Sequence, residues 1–416
     1  MKHTFKEGFI NFCQVCNSKK ISEVINLGHQ PLADDLLLEK DKNSPSISYP
    51  IKIYLCKSCM LLQNNYIVSD KKLYNEKYHY RPGISKTVEK NLEKLAKSLI
   101  KLYDLRKNDL IVDIGCSDGT LLQAFKKFGF NNLVGVEPTG TYIFTKEKKI
   151  NVINDFFNNK SAKKLLKNYG KAKLVTTTNV FAHTGELKEF IQGLNKIIKK
   201  DGIFVVENHY LKEIIQKLQF DSFYHEHLRT YSLTSLIKLM KYYKFNILDA
   251  YTTERYNGNI QAHFSKLKFP INSRIKKILS KEKKSKLDKL ITYQKFMSKI
   301  DISKNNLENF LNKNKKLNIV GKAFPARAAV ILNYFSFLKN HIKFIAEQPS
   351  SLKLNHYVSE TNIKILNSEF LKTSKPDVII IFAWHLFKEI KNKWKSKGLP
   401  KKTKYILLLP KFKIFN

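Results

Sequence analysis

A run of five residues, 223–227 (FYHEH), concentrates side chains that can transfer protons. It holds two histidines, His225 and His227, with Glu226 between them and Tyr224 before them. An imidazole titrates near neutral pH, and an adjacent carboxylate can hold its tautomer and orient it as a general base. A metal site is one alternative, but adjacent ligands point in different directions and no third partner is evident. A packed surface loop is the other alternative.

Four of the five cysteines form two C-x-x-C pairs, Cys13 with Cys16 and Cys56 with Cys59. Two such pairs bring four thiolates into tetrahedral reach of one zinc ion. A redox C-x-x-C would explain one pair but not two, and disulfides are not expected in a cytosolic chain. Four thiolates close the coordination sphere, so the predicted zinc site is architectural. The fifth cysteine, Cys116, lies in another motif and is interpreted as a small packing residue.

Residues 112–119 (VDIGCSDG) form a turn between a predicted strand and a predicted helix. In a doubly wound fold this turn lies at the carboxyl edge of the sheet, where ligands bind. Gly115 and Gly119 let the backbone approach a ligand closely. Asp113 and Asp118 make the turn acidic, which disfavours a pyrophosphate and suits a cationic ligand.

The next predicted strand ends at Glu137, about 20 residues further on, where a carboxylate can accept both hydroxyls of a ribose. A nicotinamide dinucleotide fold is the rival, but its turn reads G-x-G-x-x-G, whereas this one reads G-x-x-x-G. An acidic glycine turn followed by that glutamate resembles the signature of class I S-adenosylmethionine methyltransferases, in which the aspartates face the amino acid part of the cofactor. Asn179 and His183, after the fourth predicted strand, add polar groups near the same pocket. Residues 78–80 (YHY) could cover it as a lid, with simple aromatic packing as the alternative.

Alternating strands and helices must position these residues. Ser85 can cap a helix whose leucines recur at helical spacing. Beyond it we predict strands at 110–114, 133–136, 152–153, 174–177, 203–206, 246–251 and 260–265, with a helix at 120–128 and further helical stretches between the strands. A charged helical region, 273–314, either forms a hairpin or bridges to the next unit. A second, smaller alternation of strands and helices then follows. Its predicted strands are at 318–320, 342–346, 378–382 and 405–409, and its predicted helices are at 326–332 and 386–395.

The 416 residues exceed what one hydrophobic core usually supports, so two or three domains are expected. No apolar run approaches the ~18 residues that span a bilayer, and the N-terminus lacks the apolar stretch of a signal peptide, so a cytoplasmic location is expected. The net charge of +40 suggests nucleic acid, but lysines are spread along the chain and arginine is scarce. A lysine-biased composition therefore explains the charge better, and a basic surface would also attract a phosphorylated small substrate.

Together the motifs resemble those of the sugar C-methyltransferases, which act on nucleotide-linked keto-deoxysugars. That family has an N-terminal four-cysteine zinc module, a central S-adenosylmethionine domain and a C-terminal Rossmann-like domain. Beyond the cysteines, the resemblance is carried by Leu27, Gly28, residues 31–33, Tyr78, Tyr80, residues 113–119, 135–138, 179–180, 182–183, 224–227, 231–232, 383–384 and 389–390.

The resemblance implies an α/β fold with a class I methyltransferase core and a second, smaller C-terminal α/β domain. The corresponding division is a zinc module at 1–75, a methyltransferase domain at 85–268, a helical connector at 269–314 and a Rossmann-like substrate domain at 315–416. The implied cofactors are S-adenosylmethionine and a structural Zn²⁺. The cofactor would contact Asp113, Gly115, Asp118, Gly119, Glu137, Asn179 and His183.

The resemblance also assigns catalytic roles. His227 is the implied base, and Tyr224, Glu226 and Tyr80 orient the substrate or stabilise an enolate. This chemistry is reasonable because a ketone acidifies the neighbouring C–H bond. A base removes that proton, and the resulting enolate attacks the electrophilic methyl of the sulfonium. Alignment of base, carbon and methyl supplies proximity, and donors to the enolate oxygen supply electrostatic stabilisation.

Departures from the family pattern fall where the sugar and nucleotide are expected to bind. They are the turn 257–259 (NGN), the turn 321–327 (GKAFPAR), and Glu347, Pro349 and Lys353 downstream. Methyl transfer is unaffected, whereas the identity of the sugar and nucleotide stays open. Three alternatives remain: a sugar O-methyltransferase, a nucleic-acid methyltransferase that uses the zinc module and basic surface, and a non-enzymatic binding protein on a methyltransferase scaffold.

Overall fold

A seven-stranded sheet forms the centre of the protein in the computed structural model, which describes residues 7–74, 81–396, 399–400 and 402–416. Its strands lie in the order Asn246–Thr253, Asn259–Ser265, Ile198–His209, Ala172–Thr178, Ile111–Ile114, Leu133–Val136 and Asn151–Ile153. Numbered along the chain, that order is 6-7-5-4-1-2-3, and Asn259–Ser265 runs antiparallel to both neighbours. This arrangement confirms the predicted class I methyltransferase core.

Helices cover the two faces of this central sheet. They are Lys86–Leu102, Thr120–Lys127, Tyr142–Glu147, Asn159–Tyr169, Leu187–Ile197 and Leu233–Tyr242, whereas Leu211–Gln216 packs into the core shared by the zinc module and the C-terminal part. The first begins as predicted, because the Ser85 hydroxyl accepts a hydrogen bond from the Val88 amide at 3.4 Å. Its Leu92, Leu95 and Leu99 are buried against the sheet side, as the helical spacing requires.

The N-terminal part of the chain folds as a small antiparallel sheet, which residue patterns had not revealed. Its order is Arg229–Thr230, Leu62–Asn64, Ser48–Cys56 and Ile21–Pro31, and a separate pair joins Gly8–Phe9 to Tyr66–Ile67. One edge strand, Arg229–Thr230, comes from the segment directly after the FYHEH run. The zinc module is thereby attached to the candidate catalytic residues.

The C-terminal part contains an eight-stranded sheet. Its order is Lys413–Phe415, Lys404–Leu407, Val378–Ile381, Ile319–Lys322, Phe344–Glu347, Lys364–Asn367, Tyr357–Val358 and Leu36–Leu37. The second to sixth of these strands are parallel, as in a Rossmann-like unit. The last strand, Leu36–Leu37, comes from the zinc module, so this sheet draws on both ends of the chain.

The charged helical region bridges the units. Its first helix, Ser273–Lys284, packs against the central sheet through Ile275 and Ile278. The second, Leu290–Lys313, packs against the strand Ile21–Pro31 and the C-terminal core. The remaining helices are Asp70–Leu73, Ala326–Tyr334, Phe370–Ser374 and Phe387–Ser396, with short 3₁₀ turns at Glu39–Asp41, Pro82–Ile84, Phe220–Ser222, Arg255–Asn257, Ser336–Asn340 and Trp384–Leu386. Among all described helices, none combines the length and apolar character needed to cross a bilayer.

Candidate active site and zinc site

The four paired cysteines converge on one point. Their sulfur atoms all lie within 4.8 Å of one another, with Cys13 Sγ 3.4 Å from Cys59 Sγ and Cys16 Sγ 3.6 Å from Cys56 Sγ. These separations are too long for disulfides and close to the ~3.8 Å edge of a tetrahedron with Zn–S bonds of about 2.3 Å. The residues present therefore fit a closed four-thiolate zinc site.

Both cysteine pairs are placed by the same local turn. The amide of Asn17 donates to the Cys13 carbonyl, and the amide of Met60 donates to the Cys56 carbonyl, each at 2.9 Å. Asn17 and Met60 then adopt left-handed conformations, with φ of 59° and 64°. Each turn presents two sulfurs on one side, so the two turns facing each other complete the tetrahedron.

A cavity of about 780 Å³ opens at the carboxyl edge of the central sheet. Its walls come from three parts of the chain. The zinc module contributes Asp70 and Tyr74, and the central domain contributes the turn after Ile111–Ile114, Glu137, Asn179 and a group of histidines. The C-terminal part contributes residues 325–327 and 385–386. Candidate cofactor and substrate residues thus share one continuous space.

Two buried carboxyl groups lie at the end of the cavity next to the glycine turn. Burial raises the pKa of Asp113 to about 7, while the 2.7 Å hydrogen bond from the Thr176 hydroxyl opposes the rise. Glu137 accepts the amide of Ser117 at 2.8 Å and that of Thr139 at 2.9 Å, and burial raises its pKa. A cationic ligand would restore the charge of Asp113. Glu137 Oε1 also accepts from the Thr139 hydroxyl at 2.7 Å, so Oε2 is the oxygen that keeps a lone pair for a hydroxyl.

Gly115 shapes the same end of the cavity. Its φ is +72°, and a Cβ there would lie only 2.4 Å from Val180 Cγ2. A side chain at this position would therefore clash with the loop after the fourth strand. That loop starts at Asn179, whose Oδ1 accepts from Asn259 Nδ2 at 3.1 Å. The carboxylates of Asp113 and Glu137, the amide of Asn179 and the glycine backbone at Gly115 fit S-adenosylmethionine.

Asp118 and Gly119, which sequence reasoning also placed at the cofactor, are not among the residues of the cavity wall. Asp118 instead accepts from the Thr120 hydroxyl at 2.6 Å and from the Gly83 amide at 3.0 Å. Asp118 lies there because the helix Thr120–Lys127 begins beside it, and the first amides of a helix need acceptors. Gly119 precedes that helix with φ of +71°, and a Cβ there would meet Thr145 Oγ1 at 2.8 Å.

Three imidazoles lie together on the cavity wall. The ring centroids of His183 and His209 are 4.8 and 4.9 Å from that of His227, and the Tyr224 ring is 4.1 Å from it. His227 and Tyr224 come from the FYHEH run as anticipated. His209 was missed, although its position at the end of the strand Ile198–His209 is a signal of the kind that identified Asn179.

The tautomer of His227 follows from its hydrogen bond. Its Nδ1 lies 2.6 Å from the Ser222 carbonyl oxygen, which only accepts, so Nδ1 carries the proton and Nε2 carries a lone pair. The sequence suggested that Glu226 would hold this tautomer, and that suggestion is wrong because a carbonyl five residues upstream does so. Burial, together with the nearby rings of His183 and His209, lowers the pKa of His227 well below its usual value.

Glu226 approaches a different histidine and is not part of the cavity wall. Its Oε2 is 3.8 Å from His183 Nδ1, which also lies 2.7 Å from the Tyr74 hydroxyl. Burial raises the pKa of Glu226 to about 8 and lowers that of His183 to about 4. His183 is therefore neutral at pH 7, and the contact is not an ion pair.

Two further residues of the prediction are His225 and Tyr80. His225 points away from the cavity, with its Nε2 3.1 Å from the Tyr49 carbonyl oxygen, and so ties the run to the zinc module. Tyr80 and the rest of the YHY segment lie outside the described residues.

Arg327 reaches the cavity from the C-terminal part, and sequence reasoning did not single it out within the turn 321–327. Its Nε and Nη2 donate to the two carboxylate oxygens of Asp221 at 2.8 and 2.7 Å. Nη2 also lies 2.8 Å from the Ser222 hydroxyl oxygen. Asp221 accepts in addition from Trp384 Nε1 at 2.8 Å. The segment that positions His227 therefore also anchors Arg327.

Three family models match consecutive parts of the chain. They describe a zinc binding domain over residues 13–74, a methyltransferase domain over residues 79–250 and a C-methyltransferase C-terminal domain over residues 257–410. C-methyltransferase NovU of Streptomyces niveus is 23% identical over 386 residues, which cover 92% of this chain and 91% of that protein.

Two similar solved structures each match less than half of this chain. A S-adenosylmethionine-dependent methyltransferase from Clostridium acetobutylicum is 16% identical, covers 42% of this chain and 91% of its own, and has a TM-score of 0.35. Magnesium protoporphyrin IX methyltransferase from Synechocystis, with bound S-adenosylmethionine, is 12% identical, covers 47% and 88%, and has a TM-score of 0.33.

The family models and the relative, joined to the sheet order and the cavity, identify the class of protein. The chain is a S-adenosylmethionine-dependent methyltransferase with the three-part organisation of the C-methyltransferases, and its four clustered cysteines form a structural zinc site.

Proposed function

We propose that this methyltransferase adds a methyl group to the carbon next to the ketone of a nucleotide-linked keto-deoxysugar, with His227 as the general base. The observation that carries the proposal is the fixed tautomer of His227. Its protonated Nδ1 is held by Ser222, and its Nε2 is left with a lone pair on the wall of the cavity that also contains Asp113 and Glu137.

The acidic end of the cavity would hold the cofactor. Glu137 would accept the ribose hydroxyls, and Asp113 and Asn179 would face the amino acid part of the cofactor. When bound there, S-adenosylmethionine supplies a methyl group on a positively charged sulfur, which a carbon nucleophile can accept. The close approach of Gly115 to Val180 leaves no room for a side chain at this turn.

His227 performs the proton transfer in this proposal. The C–H bond next to the ketone breaks, its proton moves to Nε2, and the electron pair forms an enolate that becomes the carbon nucleophile. The low pKa of His227 keeps Nε2 unprotonated at neutral pH, so the base is ready before substrate binds. Burial raises the pKa of Tyr224 well above its usual value, so its hydroxyl remains a donor available to the enolate oxygen.

Proton exchange measured by NMR tests the proposal. Each of a panel of 4-keto-6-deoxy sugar nucleotides is incubated in deuterated water with S-adenosylhomocysteine and wild-type protein, His227→Ala or His227→Asn. We expect wild type to introduce deuterium next to the ketone and both variants to lose this activity. The asparagine amide of the second variant can still donate to the Ser222 carbonyl, so its failure would reflect the missing base and not a displaced segment. His29→Ala, at an exposed histidine, should behave as wild type.

Absence of exchange across the panel would contradict carbon methylation. Methyl transfer to the reduced analogue, which has a hydroxyl in place of the ketone, would then identify a sugar O-methyltransferase. Methyl transfer to neither sugar would favour a nucleic-acid acceptor, whose binding should weaken steeply with salt.

A further inference from the structure

The cavity wall carries charges of both signs. Asp113 and Glu137 lie beside the glycine turn, and the wall also contains Asp70, Glu186, Glu189 and Glu254 together with Arg81 and Arg255. Arg327 and His385 come from the C-terminal part and lie near the imidazole cluster, where the positive charge of Arg327 adds to burial in lowering the pKa of His209 and His385. Asp113 and Glu137 thus suit a cation, whereas Arg327 presents positive charge to whatever part of the substrate extends beyond the reacting carbon.

Arg327 is incompletely paired. Only 8% of the residue is exposed, and its Nε and Nη2 are used by Asp221, Ser222 and Gln219. Its Nη1 is also buried but has no hydrogen-bond partner. The Nδ1 of His385, which lines the same wall, is likewise buried without a partner. Arg327 Nη1 is thus a buried charged donor without a partner, which is rare, and a ligand group that accepts from it satisfies this need.

The backbone beside Arg327 also favours an anionic ligand. Arg327 is in the first turn of the nine-residue helix Ala326–Tyr334, and residues 325–327 line the cavity. Pro325, which precedes the helix, provides no side-chain cap. A helix N-terminus carries partial positive charge and favours anions, and an arginine beside it adds a planar donor group suited to phosphate.

We propose that the Nη1 group of Arg327 and the N-terminal turn of Ala326–Tyr334 form a binding site for the phosphoryl groups of the substrate. The inference rests on the proposed function for the kind of substrate, a nucleotide-linked sugar. Asp221 and Ser222 hold Arg327, and Ser222 also holds His227, so the same segment sets the distance between the phosphoryl site and the base. The sugar would lie between them.

Binding of fragments that cannot react tests this site separately from the chemistry. Protein saturated with S-adenosylhomocysteine is titrated calorimetrically with uridine, thymidine, guanosine and cytidine diphosphates and with the four nucleosides. We expect wild type to bind at least one diphosphate at least tenfold more tightly than its nucleoside. Arg327→Gln should weaken that diphosphate by about 10- to 100-fold, as expected for lost charge-assisted hydrogen bonds, and leave the affinity for the nucleoside and for S-adenosylhomocysteine unchanged.

A matched control removes an arginine elsewhere. Arg274 also pairs with an aspartate, Asp249, at 3.0 Å, but does not line the cavity. Arg274→Gln should bind the diphosphate as wild type does. An equal loss in both variants would show a general effect of charge and overturn the proposal. Wild-type diphosphate affinity in Arg327→Gln, or no preference of wild type for any diphosphate over its nucleoside, would overturn it as well.

Arg327→Gln could fail to fold, which zinc content and S-adenosylhomocysteine binding would reveal. In that case Arg327→Lys tests whether Arg327 binds the phosphoryl groups. Lysine keeps the charge beside Asp221 but cannot donate to it in two places and also reach a phosphoryl group. We expect a weaker diphosphate affinity with normal S-adenosylhomocysteine binding, and wild-type affinity would overturn the proposal. The diphosphates carry no ketone, so this result stands apart from the deuterium experiment. Loss of exchange with intact diphosphate preference would reject only the proposed reaction.

Discussion

Two clusters of side chains that commonly bind metals lie in this protein, and they are built differently. Cys13, Cys16, Cys56 and Cys59 place four sulfurs within 4.8 Å of one another. His183, His209 and His227 are neighbours by ring distance, at 4.8 and 4.9 Å between centroids. Within the described part of the chain, only the cysteine group brings its ligand atoms together closely enough for a metal.

The difference lies in what holds each side chain. Two equivalent backbone turns direct the cysteine sulfurs toward a common centre. Two of the histidines are held by unrelated partners, His183 by the Tyr74 hydroxyl and His227 by the Ser222 carbonyl. Their nitrogens therefore do not converge on one point among the described residues. Side-chain type alone does not decide between metal binding and proton transfer; the orientation imposed by neighbours does.

Loss of one thiolate should have the largest effect. Cys56→Ser leaves three thiolates, and we expect the zinc content, measured by plasma mass spectrometry, to fall from about one per chain to near zero. The protein would lose much of the roughly 10 kcal/mol that a structural zinc can contribute to folding. Retention of full zinc and an unchanged melting temperature would show that this cysteine is not a ligand.

The complementary change at the histidine cluster should affect rate and leave the metal in place. His227→Asn should lower turnover by about 10²- to 10⁴-fold, the usual contribution of a general base. Zinc content and S-adenosylhomocysteine affinity should stay at wild-type values, since the His227 ring is held by the Ser222 carbonyl and not by the zinc module. A loss of zinc in this variant would break the distinction drawn between the two clusters.

The histidine cluster should also make stability depend on pH. The folded-state pKa of His183, about 4, lies below its ordinary value of about 6.5 because the neutral ring is buried. Its contribution is complete above pH 6.5 and is lost as the pH falls toward 4, because the unfolded chain then binds a proton that the folded chain does not. The free energy of unfolding in urea should fall by on the order of 3 kcal/mol over this range on account of His183.

Zinc release also depends on acid, since protonated thiols do not bind zinc. The comparison of wild type with His183→Gln separates the two effects, because both proteins keep the four cysteines. We expect the variant to show a shallower pH dependence between pH 6.5 and 4. Identical profiles would mean that His183 is not buried in its neutral form.

Replacement of Cys116 should have the smallest effect on the protein. It is buried apart from the zinc cluster, and burial raises its pKa well above the usual value. Cys116→Ala should cost about 1 kcal/mol of stability and leave zinc content unchanged. Mass spectrometry after brief iodoacetamide treatment of the native protein should find none of the five cysteines alkylated. Rapid modification of Cys116 would contradict its assignment as a packing residue.

Features that depend on short stretches of chain could be predicted from the sequence. The C-x-x-C pairs, the acidic turn before Thr120 and the alternation of strands and helices all arise from neighbouring residues, because local backbone geometry and burial periodicity produce them. The same reasoning identified Tyr224 and His227 as candidates. It assigned Asp118 to the cofactor and not to the helix that follows, since the spacing of residues does not show which way a side chain turns.

Tertiary structure alone decided how distant segments meet. The sequence does not show that Arg229–Thr230 joins the zinc-module sheet or that Leu36–Leu37 completes the C-terminal sheet. Nor does it show that Arg327 meets Asp221 across 106 residues. These contacts come from packing between segments with no local pattern in common. The amino-acid sequence by itself determined the class of fold and the chemistry available, whereas the folded chain determined which groups share the cavity, because only packing sets their distances and orientations.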